Sequence, residues 1–163
     1  MSNKDLLENI KKLRELTGVG FKDCKLAIDE NGGDIEKSIE FLRKKGIAKA
    51  SKKMSRTASE GLALAKTHDN GKKAVAIILN CETDFVANNA AFGEVANNIL
   101  TVAINESPAS LEELKSKLFP GSELSIADRL TEEIGKIGEK IELSYYETVE
   151  GESVVAYNHP GNN

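Results

Sequence analysis

Residues 74–92 read AVAIILNCETDFVANNAAF, and the change of character inside this stretch decides the fold. Val75, Ala76, Ile77, Ile78 and Leu79 make a short apolar run rich in β-branched residues, the pattern of a strand buried on both faces. The run breaks abruptly into Asn80-Cys81-Glu82-Thr83-Asp84 and then presents Phe85. After Asn88-Asn89 the apolar positions become Phe92, Val95, Ala96, Ile99, Leu100 and Ala103, one face of a helix laid on a sheet, with Asn89 as its cap. An acid and a large aromatic side by side at the exit of a buried strand predict a short protruding loop with a rigid base. Such a loop suits insertion into another molecule. The same pattern has a second reading, in which Phe85 folds back on the core and Asp84 caps a helical turn.

On either side of this stretch the pattern stays that of an α+β layer. Leu62, Ala63, Leu64 and Ala65 precede His68-Asp69-Asn70-Gly71, a hairpin turn leading into the strand at 75–79. Ser107-Pro108 closes the helix that follows. Ser125 with Asp128 three residues on opens another helix, whose inner side is Ile126, Leu130, Ile134 and Ile137. Ile141, Leu143 and Tyr145 alternate as a strand, Glu150-Gly151-Glu152 turns, and residues 154–157 begin a return strand. Strands first and last with helices between predict an antiparallel sheet with helices on one face. Aligning His68 with His159 sets Ala63-Leu64-Ala65 over Val154-Val155-Ala156. The second copy stops at Pro160-Gly161-Asn162-Asn163, where its returning strand is due, so the chain reads as cut short inside a larger sheet.

The front of the chain is different. Leu6, Ile10 and Leu13 share one helical face, which ends at Thr17-Gly18-Val19-Gly20. Phe21, Cys24 and Ile28 carry a second helix up to Asn31-Gly32-Gly33. Asp34 caps a third, with Ile35, Ile39 and Leu42 inward and Gly46 as its terminator. Charge divides the chain at the same place. Residues 1–56 hold 14 Lys or Arg against 9 Asp or Glu, and residues 57–163 hold 8 against 17. The expected organisation is a three-helix domain at 1–50, a basic linker at 51–59 and an α+β core at 60–163.

Composition and spacing exclude or disfavour several function classes. The opening Met-Ser-Asn-Lys-Asp lacks the apolar core of a signal peptide, and no apolar run is long enough to span a bilayer, so no membrane and a cytoplasmic location are expected. Two cysteines 57 positions apart, Cys24 and Cys81, read as buried reduced thiols. Neither the histidines nor the cysteines have metal-ligand spacing, and no phosphate-binding glycine fingerprint is formed, so no metal and no cofactor are expected. Cys81 with His68, oriented by Asp84, is a conceivable thiol nucleophile, but Cys81 ends a strand and His68 sits in a turn. Arg43, Lys44, Lys45, Lys49, Lys52, Lys53 and Arg56 follow one another with no intervening acid. Few aromatics lie near them and the whole chain is acidic, so a solvated helix or linker is the favoured reading and direct nucleic-acid binding is not expected.

Two groups of motifs carry a resemblance. One is Leu13-Arg14-Glu15-Leu16-Thr17-Gly18-Val19-Gly20-Phe21-Lys22-Asp23-Cys24-Lys25, with Gly33-Asp34-Ile35-Glu36, Leu42-Arg43-Lys44-Lys45-Gly46, Ala48-Lys49-Ala50, Lys52-Lys53, Arg56 and Glu60-Gly61. The other is Asn80-Cys81-Glu82-Thr83-Asp84-Phe85-Val86-Ala87, followed by Lys136-Ile137-Gly138-Glu139-Lys140-Ile141. In this order and spacing they closely resemble bacterial and organellar elongation factor Ts, over roughly Asp5 to His159. The resemblance implies a guanine-nucleotide exchange factor, not an enzyme of bond chemistry. Its implied partner is elongation factor Tu, met in GDP-bound and nucleotide-free forms. It implies a ubiquitin-associated-like fold for the front helices, with Val19, Gly20, Phe21 and Lys22 as part of the docking contact. It also implies that Thr83, Asp84, Phe85 and Val86 enter the partner beside its magnesium and phosphate site and disturb the ion, so that GDP leaves.

Two departures stand out. Asn88 occupies a position that is basic in many members, and the second half of the core together with a further helical module is missing, so a shortened form is expected. An interrupted sheet also implies an open edge through which copies can self-associate. The rival expectation is a binding module without exchange activity. There the front helices recognise ubiquitin-like or nascent-chain partners, and the core is a passive dimerisation domain.

Overall fold

The computed structural model describes residues 3–159. They form α+β architecture in the order α1 (Asn3–Thr17), α2 (Phe21–Glu30), α3 (Ile35–Lys53), β1 (Glu60–His68), β2 (Lys73–Cys81), α4 (Asp84–Ala87), α5 (Ala90–Glu106), α6 (Leu111–Ser116), α7 (Ile126–Ile137) and β3 (Glu142–Glu150). Two compact units result: 3–54 with 131–138, and 55–130 with 139–159. Among the described residues no helix is long and apolar enough to cross a membrane.

The first unit is helical. Ile10 and Leu13 of α1, Cys24, Ala27 and Ile28 of α2 and Leu42 of α3 form its buried cluster, with Leu6, Val19, Ile35 and Phe41 against it. Helix ends fall where backbone chemistry requires. Gly18 takes a left-handed φ of 67° and donates its N–H to the Arg14 carbonyl, a conformation a Cβ would oppose. Asp34 caps α3 by accepting from the Lys37 N–H at 3.0 Å. Buried Ser38 has its hydroxyl 2.6 Å from the Asp34 carbonyl and 3.0 Å from the Ala27 carbonyl, so this polar atom is satisfied where α3 packs on α2.

Three expectations for this unit are corrected. Gly46 does not end α3, which runs on to Lys53 and so takes in residues 51–53 of the expected linker. Lys45 and Lys49, one turn apart on α3, both hold the Asp23 carboxylate, at 2.9 and 2.7 Å, and this supports the extra turns. Gly46 instead meets Gly135 of α7 so closely that a Cβ on Gly135 would stand 3.0 Å from the Gly46 Cα. Phe21 and Ile39 face outward, not into the cluster. Ile137, expected on the inner side of its helix, is 37% exposed because the helix stops there, Gly138 turning the chain with φ 86°.

The second unit is built on an antiparallel sheet, order β1-β2-β3. Asp69, Asn70 and Gly71 all take positive φ and close the β1–β2 hairpin. β2 alternates, with Val75, Ile77, Leu79 and Cys81 buried while Ala74, Ala76, Ile78 and Asn80 are half-buried. The strand is therefore fully covered on one face, not on both. Register places Leu62, Leu79 and Leu143 across from one another on the covered face. A Cβ placed on Gly93 of α5 would stand 4.0 Å from Leu62 Cδ1, which identifies α5 as the cover. Phe92, Ala96, Ile99 and Ala103 of α5 are buried there, at i, i+4, i+7 and i+11.

A register shift opposite residues 78 and 79 makes Ser144 an extra residue in β3. Tyr145 consequently falls on the open face, 43% exposed, against the expected inward alternation. Tyr146 takes the inner side, its hydroxyl donating to the Pro108 carbonyl at 2.7 Å. Short α6 is not foreshadowed by any apolar periodicity in the sequence. Residues 154–157 do not form the expected return strand. There the Val154 N–H donates to Gly71, and the Asn158 amide bridges both the N–H and the C=O of Ala65 on the outer edge of β1, at 2.8 and 2.9 Å. A side chain thus supplies what a fourth strand would. The expected break at 160–163 lies outside the described residues.

Candidate functional site

β2 delivers its last buried residue, Cys81, directly into the segment that carries Asp84 and Phe85. Thr83 is extended (φ −127°, ψ 153°) and caps a single helical turn, α4, with its hydroxyl toward the Val86 N–H. The turn closes through the Asn88 N–H and Nδ2, both donating to the Asp84 carbonyl at 2.9 Å. Asn88 therefore finishes this turn. Asn89 then caps α5, accepting from Ala91 at 2.8 Å. Between the two caps only Ala87 is buried; Val86 is half-buried. Asp84 is exposed, and Phe85 is 85% exposed, so the ring contributes almost nothing to its own core.

The base of this turn is fastened from a distant stretch of chain. The Glu139 carboxylate accepts from the backbone N–H groups of Glu82 and Thr83, at 3.0 and 3.1 Å, and from the Thr83 hydroxyl at 2.6 Å. Glu82 returns the bond, its carboxylate accepting from the Lys140 N–H at 2.6 Å and from Arg56 Nη1 at 3.2 Å. The Lys140 ammonium completes the ring on the Arg56 carbonyl at 3.1 Å. Charged acceptors on backbone donors are the stronger kind of hydrogen bond. Cys81 lies beneath, its thiol near the Thr83 carbonyl at 3.2 Å. Burial, aided by the Glu139 charge, pushes this thiol up to about 11, so it is no nucleophile at neutral pH. Cys81 pairs with Glu60 and His68 with Lys73, at opposite ends of the same hairpin, about 25 Å apart by strand rise. A Cys81–His68 dyad is not formed.

The other expected segment belongs to the helical unit. Val19 is half-buried, its carbonyl 3.3 Å from the Cys24 thiol, and it holds the turn between α1 and α2. Gly20 and Lys22 are exposed, and Phe21 is 48% exposed at the start of α2. Within the basic run at 43–56, Lys44 pairs with Glu40, Lys45 and Lys49 with Asp23, and Arg56 with Glu82. Among the described residues no cluster of three or more His, Cys, Asp or Glu is placed to hold a metal ion. Sequence patterning finds Asp84 and Phe85 but not Glu139, Glu82 and Arg56, which no local periodicity connects. The available signal is the acid following Gly138, where a helix terminator leaves the next side chain free to turn back.

Comparison with known proteins agrees with these motifs. The family model described as elongation factor TS matches residues 82–163. Proteins named elongation factor Ts from Amoebophilus asiaticus and Porphyromonas gingivalis are 47% and 46% identical, over 95% and 96% of this chain and 55% and 56% of their own. The protein of that name from Rhodopirellula baltica is 41% identical over 93% of this chain and 45% of its own. The chain spans about half the length of the curated relatives it matches.

Proposed function

Because the chain belongs to the elongation factor Ts family, whose role is in translation elongation, we propose that it is a cytoplasmic exchange factor that binds elongation factor Tu·GDP and promotes GDP release. The observation that carries this reading is Phe85, 85% exposed on a turn capped at both ends. An exposed aromatic on a backbone turn held in one conformation costs less ordering on entering a pocket, and that makes it an efficient anchor.

No bond is made or broken in such a role. The chain has to bind nucleotide-free partner more tightly than the nucleotide-bound form, and linkage makes each ligand weaken the other equally. Thousand-fold acceleration of release requires about 4 kcal/mol off the dissociation barrier. Burial of the Phe85 side chain supplies about 1.5–3 kcal/mol of that. Asp84 supplies the electrostatic part, since an added carboxylate beside a magnesium–phosphate site competes for the ion that neutralises the phosphates. Thr83 and Val86 set the turn. Val19, Gly20, Phe21 and Lys22 of the helical unit form a second contact. Through the connecting chain this contact raises the effective concentration of the wedge at the nucleotide site. Elongation factor Tu loaded with fluorescent GDP and mixed with the chain in a stopped-flow instrument tests the proposal. Release is expected to accelerate with chain concentration and then saturate. A rate independent of added chain refutes it.

A further inference from the structure

The geometry points to Glu139 as a positioning residue that fixes the Asp84–Phe85 turn for exchange, an inference that rests on the exchange reading above. β2 ends at Cys81, so the N–H groups of Glu82 and Thr83 have left the ladder and need an acceptor. Glu139 Oε2 is that acceptor for both, at 3.0 and 3.1 Å. Its other oxygen accepts a hydrogen bond from the Thr83 hydroxyl at 2.6 Å, which leaves a lone pair of Thr83 Oγ1 facing the Val86 N–H. The cap of α4 is therefore set by a carboxylate 56 residues away in the chain. Two residues before Phe85 lose their backbone freedom through one side chain. Glu82 braces the same junction from the opposite side, through the Lys140 N–H.

This arrangement differs from ordinary core stabilisation. Glu139 is half-buried and contacts the segment at its polar atoms; the apolar core of the unit lies on the covered sheet face. Removing it frees the base of the wedge while leaving the Leu62–Leu79–Leu143 layer in place. A loop already held in its bound conformation pays less ordering cost on entering a pocket, and that advantage is lost with its anchor. Glu139→Ala is therefore expected to lower the maximal rate of stimulated GDP release at least tenfold, and Glu139→Gln, which keeps one acceptor oxygen, to recover most of it.

The test combines two measurements on the whole chain. Amide hydrogen exchange by NMR on the free protein is expected to speed up at least tenfold at Glu82, Thr83 and Val86 in Glu139→Ala, with Ile77 and Leu79 unchanged. Stopped-flow release is then compared for Glu139→Ala, Phe85→Ala and the double variant. A residue acting through Phe85 adds no further loss to Phe85→Ala, whereas general destabilisation slows both backgrounds by the same factor. If Glu139→Ala does not fold, Thr83→Val removes only the hydroxyl link and is expected to show the same dependence on Phe85. Wild-type amide exchange at 82 and 83, or equal slowing with and without Phe85, overturns the assignment. If Phe85→Ala alone releases GDP at the wild-type rate, the wedge reading fails, and amide exchange still decides whether Glu139 holds the turn.

Discussion

Truncating Phe85 to alanine is the sharpest perturbation this fold allows. With the ring 85% exposed, little packing is lost in the free chain, and the change in unfolding free energy should stay within about 0.5 kcal/mol. In the proposed complex the same truncation would remove an aromatic side chain from a pocket, a loss of about 1.5–3 kcal/mol. At about 1.36 kcal/mol per tenfold, stimulated GDP release should slow by roughly 10- to 150-fold at saturating chain. Phe85→Leu, which keeps an apolar group of smaller area, should fall between. Fluorescent-GDP stopped flow measures the rate, and a thermal melt of each variant verifies that the fold is intact. Coincident melts with release rates within twofold of each other would refute the idea that this ring is a wedge.

Other expectations concern the scaffold. Gly61 has φ 148°, and a Cβ there would lie 2.1 Å from the Leu79 carbonyl oxygen, so Gly61→Ala should cost about 3 kcal/mol or more; a denaturant midpoint shift worth under about 1 kcal/mol would contradict this close approach of β1 to β2. Cys24 and Cys81 are buried with thiols pushed upward, Cys81 to about 11, so a disulfide reagent at pH 8 should label neither until denaturant is added. Asp23 is held below its ordinary 3.8 by hydrogen bonds from Lys49 and then Lys45. A depressed carboxyl contributes stability that is fully present above the unfolded value and disappears as pH falls through the lower folded one. Asp23→Asn should therefore cost about 1 kcal/mol at pH 7 and converge with the parent in acid, as followed by helical circular dichroism; a constant gap across that range would contradict the pairing.

Much of this fold is legible because local signals agree. The hairpin, the α5 stripe and the Ser125–Asp128 cap each follow from residues within a few positions of one another. Misreadings arise where distant chain segments decide. Gly46 looks like a terminator in sequence, but α3 continues because Asp23 holds Lys45 and Lys49, and because Gly46 is where α7 passes. Alternation alone puts Tyr145 inward, and a single extra residue, Ser144, reverses it. Helix α6 is only six residues long, too short for a periodicity, although its Ser110–Glu113 cap is in plain view. At the candidate site, the exposed pair Asp84 and Phe85 can be read from its neighbours. The acid that secures them cannot, since nothing in a linear string says that residue 139 returns to residue 83.

That return has a consequence for biosynthesis. A growing polypeptide carries Asp84 and Phe85 long before it carries Glu139 and Lys140, and until those arrive the turn has no external brace. The exposed turn is thus finished only after the hairpin that bears it. A half-made chain therefore displays the Asp84–Phe85 pair on a looser base than the finished one does.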